Sequence, residues 1–439
     1  MAMRGVTSTV AGALVLVGLA GYIYFVDSER PVGGEAAKER VFASIASDDI
    51  EEVEIALRAG DRTTVKKADG TWQITAPAPT AADEGELSSI AGSLATLDLQ
   101  QEVEANAADM ARYGLEPPQV EVAFKTKGRK EPRRIAFGDK APATGDLYAR
   151  LPGSNRVFLV QSFVESTFRK DTFALRDKTL LVFAREKIDT LTLTGSGSAM
   201  QFAKRGDNWV MVAPVAARAD YGAVEGAIER LASARMQGIV EPNAIDLRRY
   251  GLDRPTHTMT VSGAGTTASL TLGGTENALL FARDSARPMV FSVAPTLRDD
   301  VFKDVAEYRR KDLFDSRSFT TARAELRRGA ETVVLEKSKD GDKDVWKNAS
   351  GAAVDTAKVD DLLTRLSGLR AQSFNAVKHA SLNAAFMTAT IRFDNDKTET
   401  IAFGRAGTDV FAARPDEPGS AAVDPATFDE AMKAMDALK

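Results

Sequence analysis

The sequence predicts an α+β protein: a single N-terminal transmembrane helix followed by three tandem repeated α+β modules with mainly antiparallel sheets. Three observations carry this. Trp72, Trp209 and Trp346 are the only tryptophans and are evenly spaced, since 209 − 72 and 346 − 209 both equal 137. The residues around each tryptophan also repeat, the mark of a duplicated unit. Within each unit the strand-like runs cluster and the helices are interspersed, with no regular strand–helix alternation, which favours antiparallel sheets. Ahead of the first unit, Gly5 to Val26 runs 22 residues without a charge, long enough to cross a bilayer core at about 1.5 Å rise per residue.

The anchor ends on Tyr22, Tyr24 and Phe25, aromatic residues suited to a membrane interface. A cleaved secretory signal is the competing reading. The length of the stretch and the lack of a small-x-small site directly after it favour an anchor. A polar tether occupies residues 27–38. Arg4 precedes the span and Arg30, Lys38 and Arg40 follow it, so the charge count does not set the orientation.

Each repeat opens on a hairpin. Asp69-Gly70 and Gly206-Asp207-Asn208 precede two of the tryptophans, and such residues tolerate positive φ or bond their own backbone. The tryptophan then lies on the second strand of the hairpin, where its ring anchors a core. Pro77 and Pro214 stop that strand, because proline lacks a ladder donor. The third copy has no such proline.

A helix follows. Asp83, Asp220 and Asp355 stand at N-cap positions, and Glu86 completes a capping-box spacing in the first copy. Helical periodicity aligns Leu87, Ile90, Leu94 and Leu97, then Val224, Ile228 and Leu231, then Val359, Leu362, Leu363, Leu366 and Leu369. Next, Tyr113-Gly114-Leu115 recurs as Tyr250-Gly251-Leu252, with glycine suited to a left-handed helix end. The third copy has only Ser381-Leu382 here.

Strands then run over Val120 to Phe124, Arg134 to Phe137 and Val157 to Val160. Their counterparts are Met259 to Val261, Leu270 to Leu272 and Val290 to Val293. Thr388 to Phe393, Thr400 to Phe403 and Val410 to Ala412 take these roles in the third copy. A short helix closes each unit. The organisation is an anchor at 1–26, a linker at 27–38, and modules at 39–180, 181–318 and 319–439, the last divergent.

The chain has 439 residues, a net charge of −5 and no cysteine. The acidic balance disfavours a nucleic-acid partner, and thiol chemistry is excluded. His257 and His379 are the only histidines, too few to build a Ser/His/Asp arrangement or a nitrogen–sulfur metal site. Asp340-Gly341-Asp342-Lys343-Asp344 resembles the start of a calcium loop, but the required glycine and glutamate are Val345 and Gly351. Gly263-Ala264-Gly265 lies between two strand-like runs, so it is a turn, not a dinucleotide fingerprint. Arg112, Arg249, Arg150, Arg283 and Arg414 recur at corresponding places. They read either as a repeated anion or lipid-headgroup contact or as local ion pairs within each module. On this reading the chain has no catalytic residue, no cofactor-binding residue and no metal ligand.

Several features together resemble the bacterial family known as domain of unknown function 4340. They are the Tyr-Phe-Val end of the anchor, the Trp…Pro…Asp blocks, the Tyr-Gly-Leu turns, and Leu175-Arg176-Asp177-Lys178-Thr179-Leu180-Leu181 with its echo Arg310-Lys311-Asp312-Leu313. The resemblance implies a component held in the bacterial inner membrane by a single pass, its soluble part periplasmic. It also implies an association with gliding-motility-type ABC transport systems, with a permease, an ATPase and auxiliary subunits as partners. The expected function is a non-catalytic accessory or scaffold in such a complex, not an enzyme. A periplasmic binding module for envelope lipid or polysaccharide is the alternative. A carboxylate-based hydrolase is a third class, requiring two acids facing each other in a cleft.

Overall fold

The computed structural model describes residues 39–438 apart from 44, 196, 197, 342 and 395. The chain divides into two compact units, Met1–Asp177 and Lys178–Lys439.

In the first unit, β1 (Ile50–Leu57), β2 (Arg62–Ala68), β3 (Thr71–Ala76) and the short β4 (Thr80–Ala81) precede α1 (Glu84–Thr96). Then come β5 (Gln101–Glu104), β6 (Val120–Thr126), β7 (Arg133–Lys140), β8 (Leu147–Arg150), β9 (Val157–Val160) and α2 (Val164–Phe168). They form one nine-stranded sheet in the order β4-β3-β2-β1-β6-β7-β8-β9-β5. Every pairing in it is antiparallel.

The second unit repeats this order twice. Its first sheet comprises β10 (Thr190–Gly195), β11 (Ser198–Arg205), β12 (Asn208–Ala213), β13 (Ala217–Arg218), β14 (Gly238–Glu241), β15 (His257–Gly263), β16 (Thr266–Glu276), β17 (Leu279–Asp284) and β18 (Val290–Val293). The helices α3 (Tyr221–Ser233), α4 (Thr296–Val301) and α5 (Val305–Tyr308) accompany it. Its second sheet comprises β19 (Thr321–Arg328), β20 (Glu331–Asp340), β21 (Lys343–Asn348), β22 (Ala353–Val354), β23 (Ala371–Asn375), β24 (Met387–Phe393), β25 (Lys397–Ala406), β26 (Asp409–Ala413) and β27 (Ser420–Val423). The helices α6 (Thr356–Ser367) and α7 (Pro425–Asp436) accompany that one.

The expected α+β class is therefore corrected: the protein is mostly β, with three nine-stranded antiparallel sheets. The threefold modular plan stands. Sequence periodicity reveals a hairpin and a meander in each copy. The sheets add an opening strand and two short edges, and these extra strands shift the balance. The alternation is present in β1, where Val53 and Ile55 are buried while Glu52 and Glu54 face outward, but its glutamates mask it. The transmembrane helix of that expectation is no part of the described fold either. Among the described residues no helix is long and apolar enough to cross a membrane. Gly5 to Val26 and the linker lie outside the described residues.

Each sheet buries one face under its long helix. Trp72, Trp209 and Trp346 are all at most 2% exposed, and the predicted helix stripes are buried throughout. The three aspartates cap as expected: Asp83 accepts from the Gly85 and Glu86 amides, Asp220 from Ala223, and Asp355 from Ala357 and Lys358. The capping box is not used. The Asp83 amide donates to the Leu175 carbonyl, Glu86 pairs with Lys170, and it is Glu84 that accepts from the Trp72 amide. Ala76-Pro77 and Ala213-Pro214 are both cis.

The opposite face is half covered. The segment around Tyr113-Gly114-Leu115 lies over Ala136, Tyr148 and Val157, and Tyr250 and Leu252 lie likewise over Phe281 and Val290. Gly114 and Gly251 have φ of 67° and 65°, the left-handed turn the sequence predicts. Gly138 and Gly273 explain themselves by close approach. A Cβ on either would sit 2.1 Å from the Tyr113 or Tyr250 carbonyl oxygen. Gly273→Ala is therefore expected to destabilise the second unit by about 1–3 kcal/mol, read as a lower denaturation midpoint at unchanged slope. The neighbouring Gly274→Ala, whose Cβ would meet backbone only at 3.5 Å, is expected to change it much less.

Candidate functional site

The junction motif Arg310-Lys311-Asp312-Leu313 is a shared strand. On one side the Asp220 amide donates to the Tyr308 carbonyl and the Arg310 amide to that of Arg218. On the other, the Ala371 amide donates to Lys311 and the Leu313 amide to Leu369. The segment thus leaves one module along the start of its helix and enters the next along the end of that module's helix. Leu175 to Leu180 repeats the pattern within its own units: Asp177 pairs with Ala81, and the Met236 amide donates to Lys178.

Around the 308–314 segment is gathered the most densely charged cluster of the second unit. Glu417, from the loop between β26 and β27, accepts from Arg218 Nε at 2.6 Å and from Arg309 at 2.9 Å. The Arg309 and Glu417 side chains are 8% and 9% exposed. The Arg309 guanidinium also lies 3.8 Å from the Phe374 ring centre, a cation–π contact. Arg218 reaches Asp315 at 2.9 Å and the Asp312 carbonyl at 2.9 Å. Arg414 donates to Glu399, to Asp416 and to the Leu313 carbonyl. Glu399, 2% exposed in its side chain, accepts the Asp315 and Ser316 amides at 2.8 and 2.9 Å. Charge-assisted bonds of this kind are strong, although the buried Arg309 Nε and Ser316 Oγ have no hydrogen-bond partner.

A cleft of about 570 Å³ opens beside this cluster, lined in part by Arg205, Trp209, Arg310, Asp315 and Lys397. Two of the acids that line it are paired with arginines: Asp315 bonds Arg218, Arg310 and Arg414, and Asp416 bonds Arg414; Asp394 lines it as well. The arrangement supplies fixed charge and rigidity. Among the described residues no group of three or more His, Asp or Glu could hold a metal ion.

Burial acts to raise the Asp416 carboxyl, but the hydrogen bond and charge of Arg414 outweigh it and hold the group below its ordinary range. A depressed carboxylate stabilises the fold above its unfolded pKa of about 3.9, and that contribution is lost as pH falls from there through the folded value. The melting temperature of the second unit is expected to fall more steeply over that acid window than that of Asp416→Asn, checked by thermal scans at stepped pH.

The recurrent arginines divide into three kinds. Arg112 and Arg249 lie over the Tyr113 and Tyr250 rings at 4.8 and 5.1 Å. Arg150 and Arg283 occupy one register position, opposite Ala136 and Thr271, and each has a buried Nε without a hydrogen-bond partner. In the third sheet that position is Ala413, opposite Ala402. Arg414 lies one residue further on and belongs to the ion cluster, so the five are not one repeated site. The third meander is shifted likewise. Val410 to Ala412 is the counterpart of β8, and β27 takes the place of Val157 to Val160.

His379 replaces an aromatic. Tyr113 packs edge-on against Tyr148, and Tyr250 against Phe281. In the third sheet His379 stacks on Phe411 at 3.7 Å and accepts from the Ser381 amide. His257 packs on Phe302, and burial lowers its pKa. Asp340 pairs with Lys343 across the β20–β21 turn and Gly263 with Thr266 across the β15–β16 turn, so both motifs are turns. Asp342 lies outside the described residues.

Residues 72–208 and 209–386 match the family model for a domain of unknown function, DUF4340. The chain belongs to the DUF4340 family. Both DUF4340 matches begin on a tryptophan, so the family unit starts mid-sheet, at the second strand of the opening hairpin. The second match ends before β24, leaving the divergent meander of the third module beyond it. No curated protein matches this DUF4340 chain. A solved structure from Bacteroides uniformis, named as a 6-phosphogluconolactonase, is 10% identical over 84% of this chain and 83% of that one, with a TM-score of 0.07. A score that low carries no argument about fold or function.

Proposed function

We propose that this DUF4340 protein is a non-catalytic accessory or scaffold component of an ABC-type transport or gliding-motility-like complex. In this reading it is held at the bacterial inner membrane through Gly5 to Val26, with its modules in the periplasm. The supporting observation is the serial architecture: one module plan built three times, its densest charge cluster consumed in joining two modules. Such modules offer repeated sheet surfaces for partners and spend polar chemistry on holding shape. The family membership and the uncharged stretch before residue 27 agree with this reading.

The test is isolation of the native protein in mild detergent with mass spectrometry of what accompanies it. Stoichiometric recovery of a polytopic permease and an ATPase supports the reading. Recovery of the chain alone, under conditions where a known envelope complex stays intact, overturns it.

A further inference from the structure

Extended segments of the chain border the modules by one rule. On the entry side the incoming segment bridges a residue just past the long helix: Arg40 with Asp98, Thr179 with Arg235, and Asp312 with Arg370. On the exit side the outgoing segment bridges the residue before the capping aspartate: Arg176 with Ala82, and Arg309 with Ala219. Two backbone bonds close each exit bridge. The Asp83 amide donates to the Leu175 carbonyl and the Asp177 amide to that of Ala81; the Asp220 amide donates to Tyr308 and the Arg310 amide to Arg218. Among the described residues the third module has its entry bridge and no exit bridge. Its corresponding edge is Ala353, Val354 and Asp355, where β22 pairs with β21 alone. The Asn348 amide donates to the Ala352 carbonyl, and antiparallel pairs alternate between bonded and non-bonded, so the peptide groups of Ala353 point away from β21. Among the described residues no backbone group bonds the Asp355 amide.

We propose that this edge docks an extended segment of another polypeptide, added antiparallel beside β22. The sister edges state what the occupant is, since each already carries such a strand. An edge with free amides and carbonyls is a template for pairing, and in strand addition the backbone bonds give affinity while side chains give selectivity. The register follows from the sisters. One residue of the segment gives its carbonyl to the Asp355 amide, and the residue two further on gives its amide to the Ala353 carbonyl. The first of these is apolar, as Leu175 and Tyr308 are, both at most 1% exposed. Burial points the same way. Ala82 and Ala219 are 5% exposed, whereas their counterpart Val354 is only partly buried, as is Leu438. Asp355 is exposed where Asp83 and Asp220 are half-buried. Leu438 lies at the same end, because Lys358, in the first turn of α6, donates to the Ala437 carbonyl. An apolar side chain over Val354 and Leu438 would complete their burial. The inference gives the scaffold reading a docking place and rests on that reading for the existence of a partner.

The test uses the full chain in mild detergent and a labelled peptide with the sequence of residues 304–312, which carries Tyr308 and Arg310 in the exit register. In the chain alone, hydrogen exchange at the Asp355 amide is expected to be about tenfold or more faster than at the Asp83 and Asp220 amides. The peptide should slow it. Saturable binding by fluorescence anisotropy is expected, about fivefold or more weaker when the peptide nitrogen matching Arg310 is methylated, since one backbone bond is then lost. Val354→Lys should weaken binding as well at a little-changed melting temperature. An Asp355 amide already protected, a peptide that does not bind, or binding indifferent to methylation overturns the proposal. Self-association through this edge, seen as a concentration-dependent mass with Asp355 protected, overturns the choice of a foreign partner. Peptide binding without recovery of a permease and ATPase sinks the transport proposal alone, and their recovery without peptide binding sinks this one alone.

Discussion

Glu417→Ala is expected to lower the stability of the unit Lys178–Lys439 by about 3–5 kcal/mol, because it leaves the buried Arg309 charge without a carboxylate and leaves Arg218 only Asp315. Both guanidiniums are bound directly by Glu417, and Arg309 is shielded further by the Phe374 ring. The measurement is chemical denaturation followed by circular dichroism, with Glu417→Gln as the comparison. Glutamine keeps an acceptor but not the charge, so an intermediate loss is expected. Arg309→Met combined with Glu417→Leu removes both charges and should recover much of the deficit, as replacement of buried ion pairs by apolar groups commonly does. A Glu417→Ala protein as stable as its parent would show that the cluster does not carry the junction.

Truncating a tryptophan should have an effect of the same size. Trp72→Ala is expected to cost the first unit about 3–5 kcal/mol, through lost burial and the cavity left behind. Trp72 is 2% exposed and packs in a cluster with Val53, Ile55, Leu87 and Leu94. Trp346→Ala should cost the second unit a similar amount while leaving the first untouched, since Trp346 packs with Leu335, Val359 and Leu363. Denaturation followed by circular dichroism, with the fluorescence of Trp209 and Trp346 marking the second unit, assigns each transition. A Trp72 variant that shifts both transitions equally, or neither, would refute the division into separately packed cores.

The parts legible in the sequence are those governed by local spacing. The interval between tryptophans, the capping aspartates and the leucine stripes each act within a few turns of chain, and all appear where periodicity places them. The strand count is harder to read. The strand β1 carries three glutamates, and two-residue edges such as β4 and β22 leave no periodic trace. The junction cluster is invisible for another reason: Arg218 and Glu417 are 199 residues apart, and nothing near either residue announces the other. Arg414 shows the hazard of matching short strings, since one residue of offset moves a side chain to the other face of a strand. His379 could have been found. Its place before Ser381-Leu382, where the sister copies have Tyr-Gly-Leu, marks it as the substitute ring.

The segment from Tyr308 to Leu313 is bonded to the sheet module behind it and to the one ahead. Tension applied along the chain therefore loads those backbone bonds side by side in shear instead of peeling them one at a time. A pull on the carboxyl end would be passed through the joint to the preceding module before the joint itself gave way. The two sheet modules of the second unit would in this way share a load applied to either of them.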